Sequence, residues 1–229
     1  MKKRVLSIIL TLCMLLALVP IMPVTVAAES TGYTVLAGSG GNSGEEHGKL
    51  VDGDIKTKWC KNSFRYAYIV FKTPNGVNVS GYSITTGNDN AGYKGRNPKS
   101  WVLYGCNDYT GTNTDTWKEI HTVTNDTVLE DKNYTKYSYA FDKNTTAYTY
   151  FKLEITAIQS GDVMQMSEFE LLDCDHKWTD TVKAPTCTEG GYTATTCSIC
   201  NGYKGISSYT NKLGHDFGED GECTRCGLI

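Results

Sequence analysis

Cysteine is nearly missing from most of this chain. Between the apolar N-terminal run and Asp173 only Cys60 and Cys106 occur, so a stretch of about 145 residues must be held by a buried core rather than by sulfur. Histidine is also sparse: His47 and His121 are the only two in that stretch, and neither stands beside a plausible serine or cysteine nucleophile. Gly-x-Ser-x-Gly and His-Glu-x-x-His are both absent, which removes the commonest hydrolytic signatures. Carboxylates are plentiful, yet none sits in a context that marks a glycosidase pair. An excess of positive charge is lacking too. Lys and Arg number 22 against 25 Asp and Glu, which argues against a nucleic-acid partner, since phosphate backbones reward a basic footprint. Helical spacing is missing from Tyr66 to Leu172, so neither a bundle nor a βαβ architecture is expected.

What is present begins with Met1-Lys2-Lys3-Arg4, an apolar run from Val5 to Val26, and a small-residue exit at Ala27-Ala28. A basic start, an apolar middle and a small-residue exit predict a secretory signal over residues 1–28, cleaved after Ala28, with no membrane span left afterwards. Loss of its three basic residues takes the formal net charge from -3 to -6. The expected location is secreted or extracellular, with cell-surface association, where disulfides are permitted.

From Tyr66 to Leu172 the apolar period is close to two. Strands are predicted at 66–72, 79–86, 100–106, 117–124, 136–141, 148–158 and 164–172, separated by turn formers such as Pro74-Asn75-Gly76 and Gly87-Asn88-Asp89-Asn90. Short strands at this spacing predict two antiparallel sheets packed face to face. Two loops carry chemistry. Asp52-Gly53-Asp54 with Thr57 gathers hard oxygens around a glycine; on the residues alone this is either a solvated turn or a cation loop, and it does not match the twelve-residue helix-loop-helix calcium pattern. Arg96, next to Asn97-Pro98, offers a five-donor fork suited to carboxylates or paired sugar hydroxyls, or else it is an ordinary surface arginine. Cys60 and Cys106 are either a disulfide or two buried thiols.

Five ordered blocks give this region a family likeness. They are Leu50-Val51-Asp52-Gly53-Asp54 leading to Thr57-Lys58-Trp59; Gly81 to Asp89; Gly95-Arg96-Asn97-Pro98-Lys99-Ser100-Trp101; Trp101 to Asp108; and Gln165 to Leu171. Together they resemble the discoidin, or coagulation-factor type C, family of galactose-binding-like domains, which includes many bacterial carbohydrate-binding modules. The resemblance implies an all-β, jelly-roll-like antiparallel sandwich over residues 29–173, with a structural calcium held by Asp52, Asp54, Thr57 and Glu168 and by backbone carbonyls near Leu50 and Met166. It also implies ligand recognition at loops on one end of the sandwich, where Trp59, Asn88, Asp89, Tyr93 and Arg96 are the candidates. Asn97 departs from the pattern, which more often has aspartate there.

Residues 174–229 differ abruptly. Six of the nine cysteines lie here, among Gly, Thr and His, with too few large apolar side chains for a core. An internal repeat runs His176-Lys177-Trp178 then Cys197-x-x-Cys200, and His215-Asp216-Phe217 then Cys223-x-x-Cys226, with the second unit lacking an equivalent of Cys187. Two Cys-x-x-Cys knuckles predict a zinc-ribbon-like module in which Cys197, Cys200, Cys223 and Cys226 hold one zinc. His176, Cys187 and His215, with Cys174, are left as additional ligands or a second site. Disulfides are the competing use of the same cysteines. Pro185 to Gly191, the first knuckle and Leu213-Gly214-His215 resemble a Cys-rich repeat of bacterial cell-surface proteins, which implies location and no activity.

The function expected is a non-catalytic, extracellular carbohydrate-binding protein or accessory module that takes glycans of host or bacterial origin. The alternative is a structural or adhesive cell-surface module with a protein partner.

Overall fold

A computed structural model describes residues 32–229; the expected secretory leader lies outside the described residues. Five antiparallel strands form the first sheet: β1 (Thr34–Gly38), β3 (Ala67–Val77), β8 (Tyr148–Ile158), β5 (Pro98–Cys106) and β6 (Lys118–Val123), in that spatial order. The second sheet begins β10 (Glu168–Leu172), β4 (Gly81–Thr85), β7 (Lys136–Ala140). It continues through β13 (Tyr203–Thr210), β12 (Gly191–Cys197) and β11 (Trp178–Lys183). A two-stranded ribbon pairs β2 (Trp59–Lys61) with β9 (Met164–Met166). Among the described residues there is no α-helix, only a single 3-10 segment at His47–Val51, and no helix long and apolar enough to cross a membrane.

The period-two pattern explains the sandwich. Ile69 and Phe71 of β3, with Phe151, Leu153 and Ile155 of β8, point inward and meet Tyr82, Ile84, Tyr139 and Phe169 from the second sheet. Tyr82 stacks between Tyr139 and Phe169 at ring separations of 5.4 and 5.1 Å. Its buried hydroxyl accepts from the Trp101 indole N–H at 2.7 Å and meets His121 Nδ1 at 2.9 Å. The core is therefore aromatic at its centre, where Tyr82, Trp101 and His121 partner one another's polar atoms.

Two expectations change. Pro74-Asn75-Gly76 is not a turn between strands: β3 runs on to Val77, with an irregularity after Lys72 that the Thr73 hydroxyl spans by donating to the carbonyls of Asn75 and Thr149. The predicted last strand splits at Ser167, because β9 pairs with β2 while β10 pairs with β4. Cys60 and Cys106 are separate buried thiols. Burial pushes the Cys60 thiol up to about 11 and raises that of Cys106.

The C-terminal segment adds a three-stranded meander to the second sheet. Its junction is one parallel pairing, Tyr203 with Tyr139.

Candidate functional site

One rim of the sandwich is organised by the loop that follows β4. Gly87 and Gly95 shape it: Gly95 has φ +82°, and an added Cβ would fall 1.8 Å from Ser160 Oγ, so both conformation and space demand glycine. The Gly95 N–H donates to Asp131 Oδ1 at 3.0 Å and Ser160 N–H donates to the Gly95 carbonyl at 2.8 Å, pinning the loop on both sides. Asn97 is buried and takes no part with Arg96. Its amide donates to the Glu130 carbonyl at 3.0 Å and its oxygen accepts from Asn90 at 2.6 Å.

A polar network lies beneath this loop. The Lys58 ammonium is nearly enclosed and donates to Asp89 Oδ1 at 3.0 Å and Gln165 Oε1 at 3.2 Å, with Glu45 at 3.6 Å. The Gln165 amide donates to Asp89 and Asn90, each at 2.8 Å, and Arg96 donates to Gln165 Oε1 at 3.3 Å. Burial pushes the Asp89 carboxyl upward, but Lys58, Gln165 and Arg96 outweigh it and hold the group below its ordinary value. Tyr93 stands above, 55 % exposed, with the Arg96 guanidinium 4.2 Å from its ring centre. Asn88 is exposed in the same loop.

Of the expected ligand residues, Asp89, Tyr93 and Arg96 come together, with Asn88 beside them. Trp59 does not. Its side chain is fully buried in the core and its indole N–H donates to the Gly40 carbonyl at 2.6 Å, leaving no face for a ligand. Adjacent residues of an extended chain point opposite ways, so Lys58 reaches the rim and Trp59 the core. Lys58, Asn90 and Gln165 were missed. The available signal was Lys58 directly before a core tryptophan and Gln165 between two methionines.

The expected calcium residues lie at the neighbouring edge, where the 3-10 segment packs against β10. Thr57 Oγ1 donates to the Asp52 carboxylate at 2.9 Å, and the Asp54 N–H donates to Asp52 Oδ1 at 3.0 Å. Lys49 stands 3.3 Å from Asp52. The Asp54 carboxylate is turned to the Lys56 N–H at 2.9 Å and braces its own turn. Leu50 and Met166 are core side chains on the segments that carry Asp52 and Glu168. Both Glu168 oxygens are buried without a hydrogen bond of good geometry, although Asp52 and the Gly53 amide stand beside them. Burial first, and Asp52 second, push the Glu168 carboxyl up to about 8. An orphaned buried carboxylate beside a second carboxylate and a hydroxyl gives Asp52, Thr57 and Glu168 oxygen donors of the kind calcium takes, a part of the roughly six to eight such an ion requires.

The cysteines and histidines of the C-terminal segment fall into two sets, each able to hold a metal ion: Cys174, His176, Cys197 and Cys200, and Cys187, His215, Cys223 and Cys226. Within each set the ligand atoms lie within 4.8 Å of one another. The single four-cysteine site expected from spacing is therefore replaced. β11 pairs with β12 so that Trp178 faces Cys197, bringing Cys174 and His176 to the first knuckle. Cys187 lies at the other end of that hairpin, where Leu213 N–H and Gly214 N–H donate to the carbonyls of Thr186 and Cys187 and deliver His215. Knuckles at opposite ends of the meander cannot share one ion. Cys187 also proves to be the partner of the second knuckle, as Cys174 is of the first.

Amides point at the knuckle sulfurs, Ile199 N–H at Cys197 (3.3 Å) and Asp216 N–H at Cys223 (3.4 Å). Burial opposes ionisation of Cys197, but the Cys200 amide and His176 bring its thiol down to about 6. The Asp216 amide leads in bringing Cys223 down to about 5.

No family model matches this chain, and no curated protein does. In fold it resembles solved carbohydrate-binding modules. One is the family 32 module of C. perfringens NanJ in complex with galactose: identity is 14 %, 63 % of this chain and 96 % of the module are covered, and the TM-score is 0.47. A second family 32 module, from Clostridium perfringens with GalNAc-β-1,3-galactose, has 14 % identity, coverage of 64 % and 99 %, and a TM-score of 0.49. A chitosan-binding module of a chitosanase/glucanase from Paenibacillus sp. IK-5 has 17 % identity, coverage of 64 % and 97 %, and a TM-score of 0.44. At such identities the likeness concerns fold alone.

Proposed function

We infer that residues 29–173 form a non-catalytic carbohydrate-binding module of a secreted or cell-surface protein, and that residues 174–229 are its accessory. The observation that carries this reading is the rim itself. An exposed Tyr93 ring, braced by Arg96, shares a loop with Asn88 and Asp89, and the buried Lys58 and Gln165 hold Asp89 and Arg96 in place from inside. A sugar ring offers an apolar face to an aromatic and hydroxyls to charged and amide groups, so both halves of the ligand have a counterpart. The network is already hydrogen-bonded, which limits the ordering cost of capture. Binding is an equilibrium event, weak per site and strengthened by display in several copies.

Calcium at Asp52, Thr57 and Glu168 compensates the buried Glu168 charge at the edge neighbouring the rim, and zinc is the ion of the Cys/His sets. Neither takes part in sugar capture directly.

A glycan array followed by titration calorimetry tests the reading. Tyr93→Ala and Arg96→Ala are each expected to weaken sugar binding at least tenfold while the melting temperature stays unchanged. Silence across galactose-, N-acetylhexosamine- and uronate-containing glycans would sink it, and a protein captured by the same rim would install the adhesive alternative.

A further inference from the structure

The segment beyond Asp173 has almost no core. The only apolar side chains shielded there are Cys187, Cys197 and Cys223, and no residue after Leu171 joins the cluster between the sheets. Its seam with the sandwich is narrow. Apart from the Tyr203–Tyr139 pairing and a Lys204–Asp142 ion pair at 2.7 Å, the closest ties converge on Ser80. Cys174 N–H donates to Ser80 Oγ at 2.7 Å, and His176 Nε2 lies 2.8 Å from the Ser80 carbonyl. Both residues belong to the first Cys/His set.

The geometry points to two zinc ions per chain, one in each Cys3His set, with distinct tasks: the first fastens the meander to the sandwich and the second closes only its far tip. This rests on the reading of the region as zinc-holding and specifies its stoichiometry and purpose. Zinc–sulfur and zinc–nitrogen bonds of ordinary length set tetrahedral edges of about 3.8 Å between sulfurs and about 3.6 Å from sulfur to nitrogen. The first set has Cys174 and Cys197 sulfurs 4.0 Å apart and Cys200 Sγ 3.5 Å from His176 Nδ1. The second has Cys187 and Cys223 sulfurs 3.8 Å apart and Cys226 Sγ 3.4 Å from His215 Nδ1. These are edges of a coordination polyhedron and nearly twice a disulfide bond of about 2.05 Å. The Ser80 carbonyl can only accept, so His176 carries its proton on Nε2 and leaves the Nδ1 lone pair facing the sulfurs. The aromatic two residues on supports each imidazole, Trp178 at 4.4 Å and Phe217 at 5.5 Å, which accounts for the His-x-aromatic repeat. Gly202 completes the joint: an added Cβ would lie 2.5 Å from Ala140 Cβ and 3.2 Å from Cys200 Sγ, so glycine lets the first knuckle close against β7.

Zinc content by native mass spectrometry, paired with amide hydrogen exchange at Tyr203, tests this on the full chain and on Cys200→Ser and Cys226→Ser. The expected result is two zinc ions in the parent and one in each variant, with Tyr203 exchange at least tenfold faster in Cys200→Ser and near parental in Cys226→Ser. Protection of β3 and β8 amides reports whether each variant's sandwich remains folded. Recovery of Tyr203 protection on returning zinc to chelated parent protein supports the joint without any substitution. No zinc, together with a mass deficit of about 2 Da per bridge, would overturn the zinc reading altogether. One ion in the parent, or loss of both from either variant, would overturn the two-site assignment while leaving zinc standing. Unchanged Tyr203 exchange in Cys200→Ser, or equal acceleration in both variants, would remove the fastening role.

Discussion

Between the two sheets, Phe71, Phe151, Leu153, Tyr82 and Phe169 are withdrawn almost completely from water. In residues 174–229 the comparable positions belong to three cysteines, while Val182, Tyr209 and Phe217 stay exposed. The two regions share a strand pairing yet are stabilised by different physics. The sandwich gains from apolar burial, which is non-directional and spread over many residues. The meander, with zinc in its two Cys/His sets as proposed, would depend on a few directional bonds at its two ends, about 20 Å apart for a strand the length of β12. One region should therefore respond to volume changes and the other to chelators and thiol chemistry.

The sharpest way to break that comparison is a strong zinc chelator. We expect it to render the segment beyond Asp173 susceptible to limited proteolysis while the denaturation midpoint of the sandwich stays put; a common shift of both would show that they are one cooperative unit. Next in size is Phe151→Ala, which should cost the sandwich about 3–5 kcal/mol by denaturant titration and leave zinc content unchanged. Gly95→Ala should lower stability by about 1–3 kcal/mol through backbone strain, with sugar affinity falling as the Arg96 loop shifts. Glu168→Gln removes a charge that burial and Asp52 both disfavour. It should raise the melting temperature in chelator by a few degrees and abolish any further rise on adding calcium; a calcium response that survives would exclude Glu168 as a ligand.

The smallest effect is a pH dependence confined to the sandwich. Burial lowers the His121 pKa from its ordinary 6.5, so the folded state favours the neutral ring stacked on Phe141 at 4.6 Å. A depressed folded pKa gives stability that is complete above about 6.5 and is lost as pH falls through the folded value. His121→Gln should flatten that acid-side decline of the melting temperature without touching the Cys/His sets.

The sandwich was readable in advance because alternation is a local signal: β8 runs from Tyr148 to Ile158 as its pattern indicates. Asp52 and Glu168 could be joined from a resemblance spanning both ends of the domain. Lys58 and Gln165 escaped because a conspicuous tryptophan beside Lys58 drew the assignment, although the rim takes the neighbour facing the other way. The metal sets escaped for a different reason. Which cysteine joins which knuckle depends on the β11–β12 register, Trp178 opposite Cys197 and Lys183 opposite Tyr192, and spacing along the chain contains no such register. The shared Cys, His, Cys-x-x-Cys composition of the two sets was the usable clue.

The place of β13 has a further consequence. β7 would otherwise border its sheet with unpaired amides and carbonyls, the kind of margin along which separate copies zip together. β13 meets that margin at one pairing, Tyr203 with Tyr139, and interrupts it there. A sandwich stripped of its accessory, or one whose joint has let go, should turn stickier toward its own kind.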